Sequence, residues 1–179
     1  MSGIVWFRRD LRLTNNPAWA AATAAHANVT ARFVLDNRVW SRAGPFRAAQ
    51  LAAHLGSLEQ QLEQRGGRLR DEHGEPSSGL ADVDADAISW NADYTPYARR
   101  RDDAVAGQWA NRVVRTHGTV VQAPGAEMTK TGPPYKVFTP FFRQWSQHPL
   151  PPSVESGPAI LNSAPGAGIP DADPPVMRA

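Results

Sequence analysis

Gly3-Ile4-Val5-Trp6-Phe7-Arg8-Arg9-Asp10 is the stretch on which the fold reading turns. Its apolar part is short, β-branched and aromatic, and shows no alternation. Such a run predicts a strand buried on both faces, and the charges that follow mark its end as a polar loop. Working outward, Asn15-Asn16-Pro17 supplies a helix start, with asparagine as cap and proline in the first turn, and an alanine-rich helix over 18–27 follows. A second strand spans 29–35 and ends at Asp36-Asn37. Gly44-Pro45 opens a long amphipathic helix in which Leu51, Leu55, Leu58 and Leu62 recur at spacings of three and four, and Gly66-Gly67 stops it. A weak strand over 68–70 has only Leu69 as an apolar residue. A better strand over 87–90 comes next, then a helix over 97–115, a last short strand over 119–122, and a helical turn or two over 139–148.

Strands alternating with helices specify a parallel sheet covered on both faces. Right-handed crossovers leave few topologies. The expected fold is α/β and doubly wound, a five-stranded parallel sheet of order 3-2-1-4-5 with helices on both faces, Rossmann-like in outline. In the connection over 71–86, Glu75-Pro76 and Ser77-Ser78-Gly79 leave room for only about two turns of the helix a parallel crossover usually carries, and the third strand is poor, so that edge of the sheet is expected to be eroded. From Pro149 the pattern gives way to Pro, Gly, Ser and Ala. This composition divides the chain into a domain over 1–148 and a linker or disordered tail over 149–179.

The bulk numbers exclude several classes. Cysteine is absent from the 179 residues, which removes disulfides, thiolate metal sites and cysteine nucleophiles. No apolar run approaches a membrane span, and the N-terminus lacks a signal-peptide layout, so a cytoplasmic protein without a membrane partner is expected. Net charge is only +2, although the sequence pI is 9.4. Lys130 and Lys136 are the only lysines, so the basic character is arginine. Arg99-Arg100-Arg101, beside Asp102 and Asp103, reads as a solvated helix face rather than a phosphate-binding patch.

In open α/β sheets ligands bind beyond the carboxyl ends of the strands, where strand order reverses. That point falls between the first and fourth strands, at Arg8-Arg9-Asp10 and Asn91-Ala92-Asp93-Tyr94-Thr95-Pro96, with Asp36-Asn37-Arg38 beside them. Arginines, carboxylates, an amide and an aromatic suit a planar, hydrogen-bonding, partly anionic ligand. Neither glycine-rich phosphate loop is present. The five histidines are scattered without metal-ligand spacing, and no nucleophile elbow accompanies the serines.

Three segments coincide with one family. Val5 to Leu13 with Asn15-Asn16-Pro17-Ala18, then Trp90 to Asp102, then Pro134 to Trp145 together resemble the signatures of DNA photolyases and cryptochromes, and the likeness covers residues 3 to about 148. The resemblance implies the family's N-terminal α/β domain. There an antenna pigment, 8-hydroxy-5-deazaflavin or methenyltetrahydrofolate, absorbs light and passes excitation to FAD in a following helical domain, which repairs pyrimidine dimers in DNA. The cofactors carry the hard chemistry and the protein places them. The deazaflavin pocket maps onto Arg9, onto Phe33, Leu35 and Asp36 at the end of the second strand, onto Arg47 at the start of the second helix, and onto Asn91 and Asp93. Thr95 stands where some deazaflavin binders have a carboxylate. A folate would use a groove between the two domains.

The resemblance further implies that FAD and damaged DNA belong to residues beyond this chain, so no catalytic residue is assigned and repair by this chain alone is not expected. Tyr135, Phe138, Phe141, Phe142 and Trp145 are expected to dock the helical flavin domain, in cis or in trans. The same motifs serve a cryptochrome-type light-signalling module, and the crevice alone is also compatible with a stand-alone adenine-nucleotide binder.

Overall fold

The computed structural model describes residues 1–81, 83–129 and 132–168. The opening run forms the central strand, β1 (Ser2–Phe7), all but its first residue buried. It pairs in parallel with β2 (Asn28–Leu35) on one side and with β4 (Ala87–Asn91) on the other. Outside these lie β3 (Leu69–His73), parallel to β2, and β5 (Val113–Thr116), parallel to β4. The order is β3-β2-β1-β4-β5, as expected.

Side-chain alternation along β1 feeds two cores. Val5 and Phe7 face α1 (Pro17–Ala25) and α3 (Pro45–Glu63), packing with Trp19, Leu55, Leu58 and Leu62. Ile4 and Trp6 face the other side, where α4 (a single turn, Pro76–Gly79) and α5 (Pro96–Trp109) bring Leu80, Val105 and Trp109. One further turn, α2 (Asn37–Trp40), follows β2 directly. Asn16 caps α1 by accepting from the Trp19 amide at 3.1 Å. Beyond α3 the chain reverses at Gly66, whose φ of 78° is costly for any other residue. Trp6, Trp19, Trp90 and Trp109 are all fully buried, and each takes ~150–250 Å² from water.

Four expectations are corrected. The fifth strand is 113–116, not 119–122, and the preceding helix ends at Trp109 rather than running to 115. Trp109 is anchored by its indole N–H donating to the Leu80 carbonyl at 3.0 Å. Ala110 then turns at φ 47°, and the Val113-Val114 pair is drawn into register with Ile88 and Ser89. Thr119 lies past the strand, its hydroxyl donating to the Ala92 carbonyl at 2.9 Å.

The β3 edge is not eroded, because five consecutive residues pair with Ala31 to Leu35. The stretch beyond 149, read as a featureless linker or tail, is packed on the domain as far as 168. The Val154 amide donates to Asn15 at 3.1 Å, the Trp19 indole to Ser156 at 2.8 Å, and the Gly157 amide to Thr23 at 2.7 Å. A sixth short strand, β6 (Ile160–Leu161), pairs in parallel with the start of β2. The segment then follows the outer edge of β3, where the Ala167 amide donates to the Asp71 carbonyl at 2.8 Å. Composition predicts little burial here, but backbone groups of an edge strand need partners, and this segment supplies them. Residues 169–179 of the proposed tail lie outside the described residues.

The last helix, α6 (Phe138–Trp145), has no buried residue. Phe138 is 70% exposed, and Phe142 stacks between Phe138 at 5.5 Å and Trp145 at 6.0 Å. Among the described residues no helix is long and apolar enough to cross a membrane.

Candidate functional site

The carboxyl ends of β1, β4 and β5 are held together by a polar bracket. Asn91, buried at the end of β4, donates to the Asp10 carboxylate and to Asn16 Oδ1 at 2.8 Å. Its own carbonyl oxygen accepts from the Ala18 amide at 3.2 Å and from Thr116 Oγ1 at 2.6 Å. Gly118 lies so close over this amide that an added Cβ would come within 2.4 Å of it. Beside the bracket, Arg8 forms a buried ion pair with Asp102 of α5 and donates to the Asn91 main-chain carbonyl. Its guanidinium stands 4.7 Å from the Trp6 ring centroid and 5.8 Å from that of Trp90. Asp102, expected on a solvated helix face, is therefore paired with Arg8 in a buried fastening between sheet and helix.

A cleft of about 730 Å³ opens above this bracket, toward β2. Its floor and apolar wall are Trp6, Phe33, Leu35, Trp40 and Leu51. Its polar lining is Arg9, Asp36, Arg38, Asp93, Tyr97 and Arg101, with Arg42 and Arg47 at the α2–α3 side. The volume lies within the ~300–1,000 Å³ usual for small-molecule sites, and an apolar wall with a few placed polar groups is their usual character. The buried Trp6 indole nitrogen in this wall has no hydrogen-bond partner among the described residues.

Asp36 is the fixed acceptor of the cleft. It caps α2 by accepting from the Arg38 amide at 2.9 Å, pairs with the Arg38 side chain at 3.1 Å, and accepts from the Tyr97 hydroxyl. Burial pushes its carboxyl up, but the hydrogen bonds from Arg38 and Tyr97 outweigh that and hold it below the ordinary carboxylate range. Burial, and then the Asp36 charge, push the Tyr97 hydroxyl the other way, so it stays protonated and donates. Across the cleft Asp93 faces Arg9 at 3.5 Å. Burial opposes its ionisation, and the Thr95 amide and Arg9 overcome it. A second, shallower cleft of about 550 Å³ lies on the far side of the Arg9–Asp93 pair, toward β5.

Of the eight residues singled out by sequence, the structure brings Arg9, Phe33, Leu35, Asp36, Arg47 and Asp93 to the larger cleft. Asn91 does not line it, because all its side-chain polar groups are spent in the bracket beneath. Thr95 lines the second cleft instead, and its hydroxyl caps α5 by accepting from the Ala98 amide at 3.3 Å. Sequence reasoning missed Trp6, Trp40, Tyr97 and Arg101. Tyr97 and Arg101 sit four residues apart in α5, so they share one helix face, and that spacing was the available signal.

Over residues 3–159 the chain matches the family model described as DNA photolyase. A deoxyribodipyrimidine photo-lyase from Synechococcus sp. is 33% identical over 171 residues, covering 90% of this chain and 35% of the relative. One from Halobacterium salinarum is 35% identical over 175 residues, covering 88% and 36%. The solved archaeal photolyase of Sulfolobus tokodaii superposes with a TM-score of 0.81 at 23% identity, over 92% of this chain and 39% of that one. The chain thus spans about a third of the length of the curated relatives it matches.

Proposed function

Because the chain belongs to the DNA photolyase family, we propose that its 730 Å³ cleft seats a light-harvesting antenna pigment with a flat heteroaromatic ring, in the first place a deazaflavin. The observation that carries this reading is Asp36, an ionised carboxylate held by Tyr97 and Arg38 beside the apolar wall of Phe33, Leu35, Trp40 and Leu51. A flavin-type ring matches that arrangement, with apolar faces and a polar edge that can donate to a carboxylate. Phe33, Leu35, Trp40 and Leu51 would cover the faces and exclude water. Asp36 would accept from the ring edge, with the exposed Arg38 swinging aside, and Arg9 and Arg47 would meet polar groups at the mouth. When bound, the pigment supplies absorption of light, and its excitation passes to a flavin.

In the same reading the exposed aromatic face of α6, with Tyr135, docks the helical flavin domain characteristic of the family, and the chain beyond 149 leads to it. Repair of pyrimidine dimers in DNA then belongs to that larger assembly. The test is direct. The purified chain is incubated separately with 8-hydroxy-5-deazaflavin, methenyltetrahydrofolate and FAD, desalted, and its absorption spectrum recorded. FAD is included because the Sulfolobus tokodaii photolyase is described with two FAD molecules and an implied novel light-harvesting cofactor. Retention of deazaflavin, and its loss in Asp36→Leu, is the expected result. A chain that comes off the column colourless in all three cases overturns the proposal.

A further inference from the structure

Two indoles, Trp6 and Trp40, line the main cleft, and their surroundings differ in a way that matters under light. We infer that the guanidiniums of Arg8 and Arg101 protect Trp6 from oxidation by a light-excited ring in the cleft, so that electron donation to such a ring falls to Trp40. The inference rests on the reading of the cleft as a pigment site.

An excited flavin-type ring is a strong one-electron oxidant, and indole is among the side chains that yield an electron most readily. The step moves one electron from the indole to the ring, leaving the ring reduced by one electron and the indole as a radical cation. That cation is acidic, and it is trapped when its ring N–H proton passes to an acceptor.

Trp6 is poorly placed for both halves of the step. Arg8 and Arg101 hold their guanidiniums 4.7 and 5.1 Å from its ring centroid. A neutral indole attracts them through its negative face, whereas an oxidised one repels them at short range in a buried site. The two share a single carboxylate, Asp102, so two cations meet one anion. The Trp6 nitrogen is buried without a partner among the described residues, so the proton of an oxidised ring has no acceptor. Trp90, edge-on to Trp6 at 5.5 Å, repeats the pattern. Arg8 and Arg115 stand 5.8 and 5.4 Å from its centroid, and its nitrogen too is buried without a partner among the described residues. A radical on Trp6 therefore gains nothing by moving inward. Trp40 has neither restraint. It is only partly buried, so solvent can take its proton, and among the described residues no guanidinium is stacked on it.

The experiment loads the full chain with 8-hydroxy-5-deazaflavin and records the fluorescence lifetime of the bound pigment. After illumination in air, oxidised tryptophan is mapped by peptide mass spectrometry; dioxygen takes the electron back from the ring and adds to the indole radical, which marks the donor. Oxidation is expected at Trp40 and not at Trp6, and Trp40→Phe lengthens the lifetime severalfold. Adding Arg101→Gln to Trp40→Phe shortens the lifetime again and brings oxidation to Trp6, whereas adding Arg101→Lys, which keeps the charge, does neither. Arg112→Gln removes a guanidinium 4.9 Å from Trp109, away from the cleft, and changes neither readout. Trp6 oxidised as readily as Trp40 in the unaltered chain overturns the inference. So does a Trp6 that stays unoxidised when Trp40→Phe and Arg101→Gln are combined. In both cases the retained pigment leaves the ring site standing. A chain that retains no pigment overturns the ring site and this inference with it.

Discussion

Asp102→Asn should be among the most damaging conservative substitutions in the chain. The Asp102 carboxylate and the Arg8 guanidinium are 5% and 6% exposed, so the substitution leaves a cation deep in the fold without its counter-ion. Breaking a buried pair from one side costs ~3–5 kcal/mol. Some compensation survives. Arg8 keeps the Asn91 carbonyl as acceptor and its stacking over Trp6 and Trp90, and a desolvated cation–π contact is worth ~2 kcal/mol. The lower end, about 3 kcal/mol, is therefore expected. Burial already pulls the Arg8 pKa down although Asp102 holds it up, so desolvation is the larger effect here. With a urea m-value of ~2 kcal/mol/M, the unfolding midpoint falls by about 1.5 M. Asp103 is an internal control one residue away. It is 68% exposed and paired with Arg115 at 2.9 Å, so Asp103→Asn should cost ~0–1 kcal/mol. Urea titrations of both variants followed by tryptophan fluorescence decide the matter. If the two midpoints agree within a few tenths of a molar, the Arg8–Asp102 pair does not fasten α5 to the sheet.

Two further outcomes follow from the charge and exposure of particular groups. Burial holds the Asp10 carboxyl above its ordinary range, against the hydrogen bond from Asn91; the stability it contributes is thus complete below the unfolded value near ~4 and is lost as pH rises through the folded value. Asp10→Asn should therefore give little at pH 3 and stabilise increasingly toward pH 8, and urea midpoints showing the reverse trend would contradict this. On α6, Phe138→Ser with Phe142→Ser should change stability by less than ~0.5 kcal/mol, because both rings are exposed. It should reduce self-association in sedimentation velocity, since exposed apolar patches drive contact; a large drop in the melting temperature would show that α6 is packed after all.

How much was legible in the sequence differs from element to element. β1 was read correctly because a strand buried on both faces leaves a compositional mark that no neighbour needs to supply. β5 was misplaced because 97–115 contains no helix stop that sequence could show: the turn at Ala110 follows from Trp109 being locked to Leu80, a contact across the fold. β3 read as weak, with Leu69 and His73 the only non-acidic, non-arginine residues in it, yet it pairs along its whole length. Strand pairing satisfies the backbone whatever the side chains are. The packed stretch up to 168 was invisible for the same reason, since most of its bonds are made by main-chain amides.

Asp36 and Arg9 reach the cleft because they follow the ends of strands whose position the alternating pattern dictates. Asn91 was placed in the pocket by its neighbourhood and turned out to hold the loops from below. Arg101 was read as solvated, but the face of α5 that carries it turns toward Trp6, 5.1 Å from the ring centroid.

Local periodicity by itself settled the order of strands and helices, the parallel sheet, and the end of it at which polar loops gather. Those features depend on intrinsic strand and helix preferences and on which faces are apolar, and both are written along the chain. Which of the gathered charges became buried fastenings, and which were left to face a cleft, was decided only when α5 packed against the sheet. A charged side chain's role is set by the partner and the dielectric it meets, and for Arg8, Asp10 and Asp36 decisive partners come from residues 61 to 94 positions away.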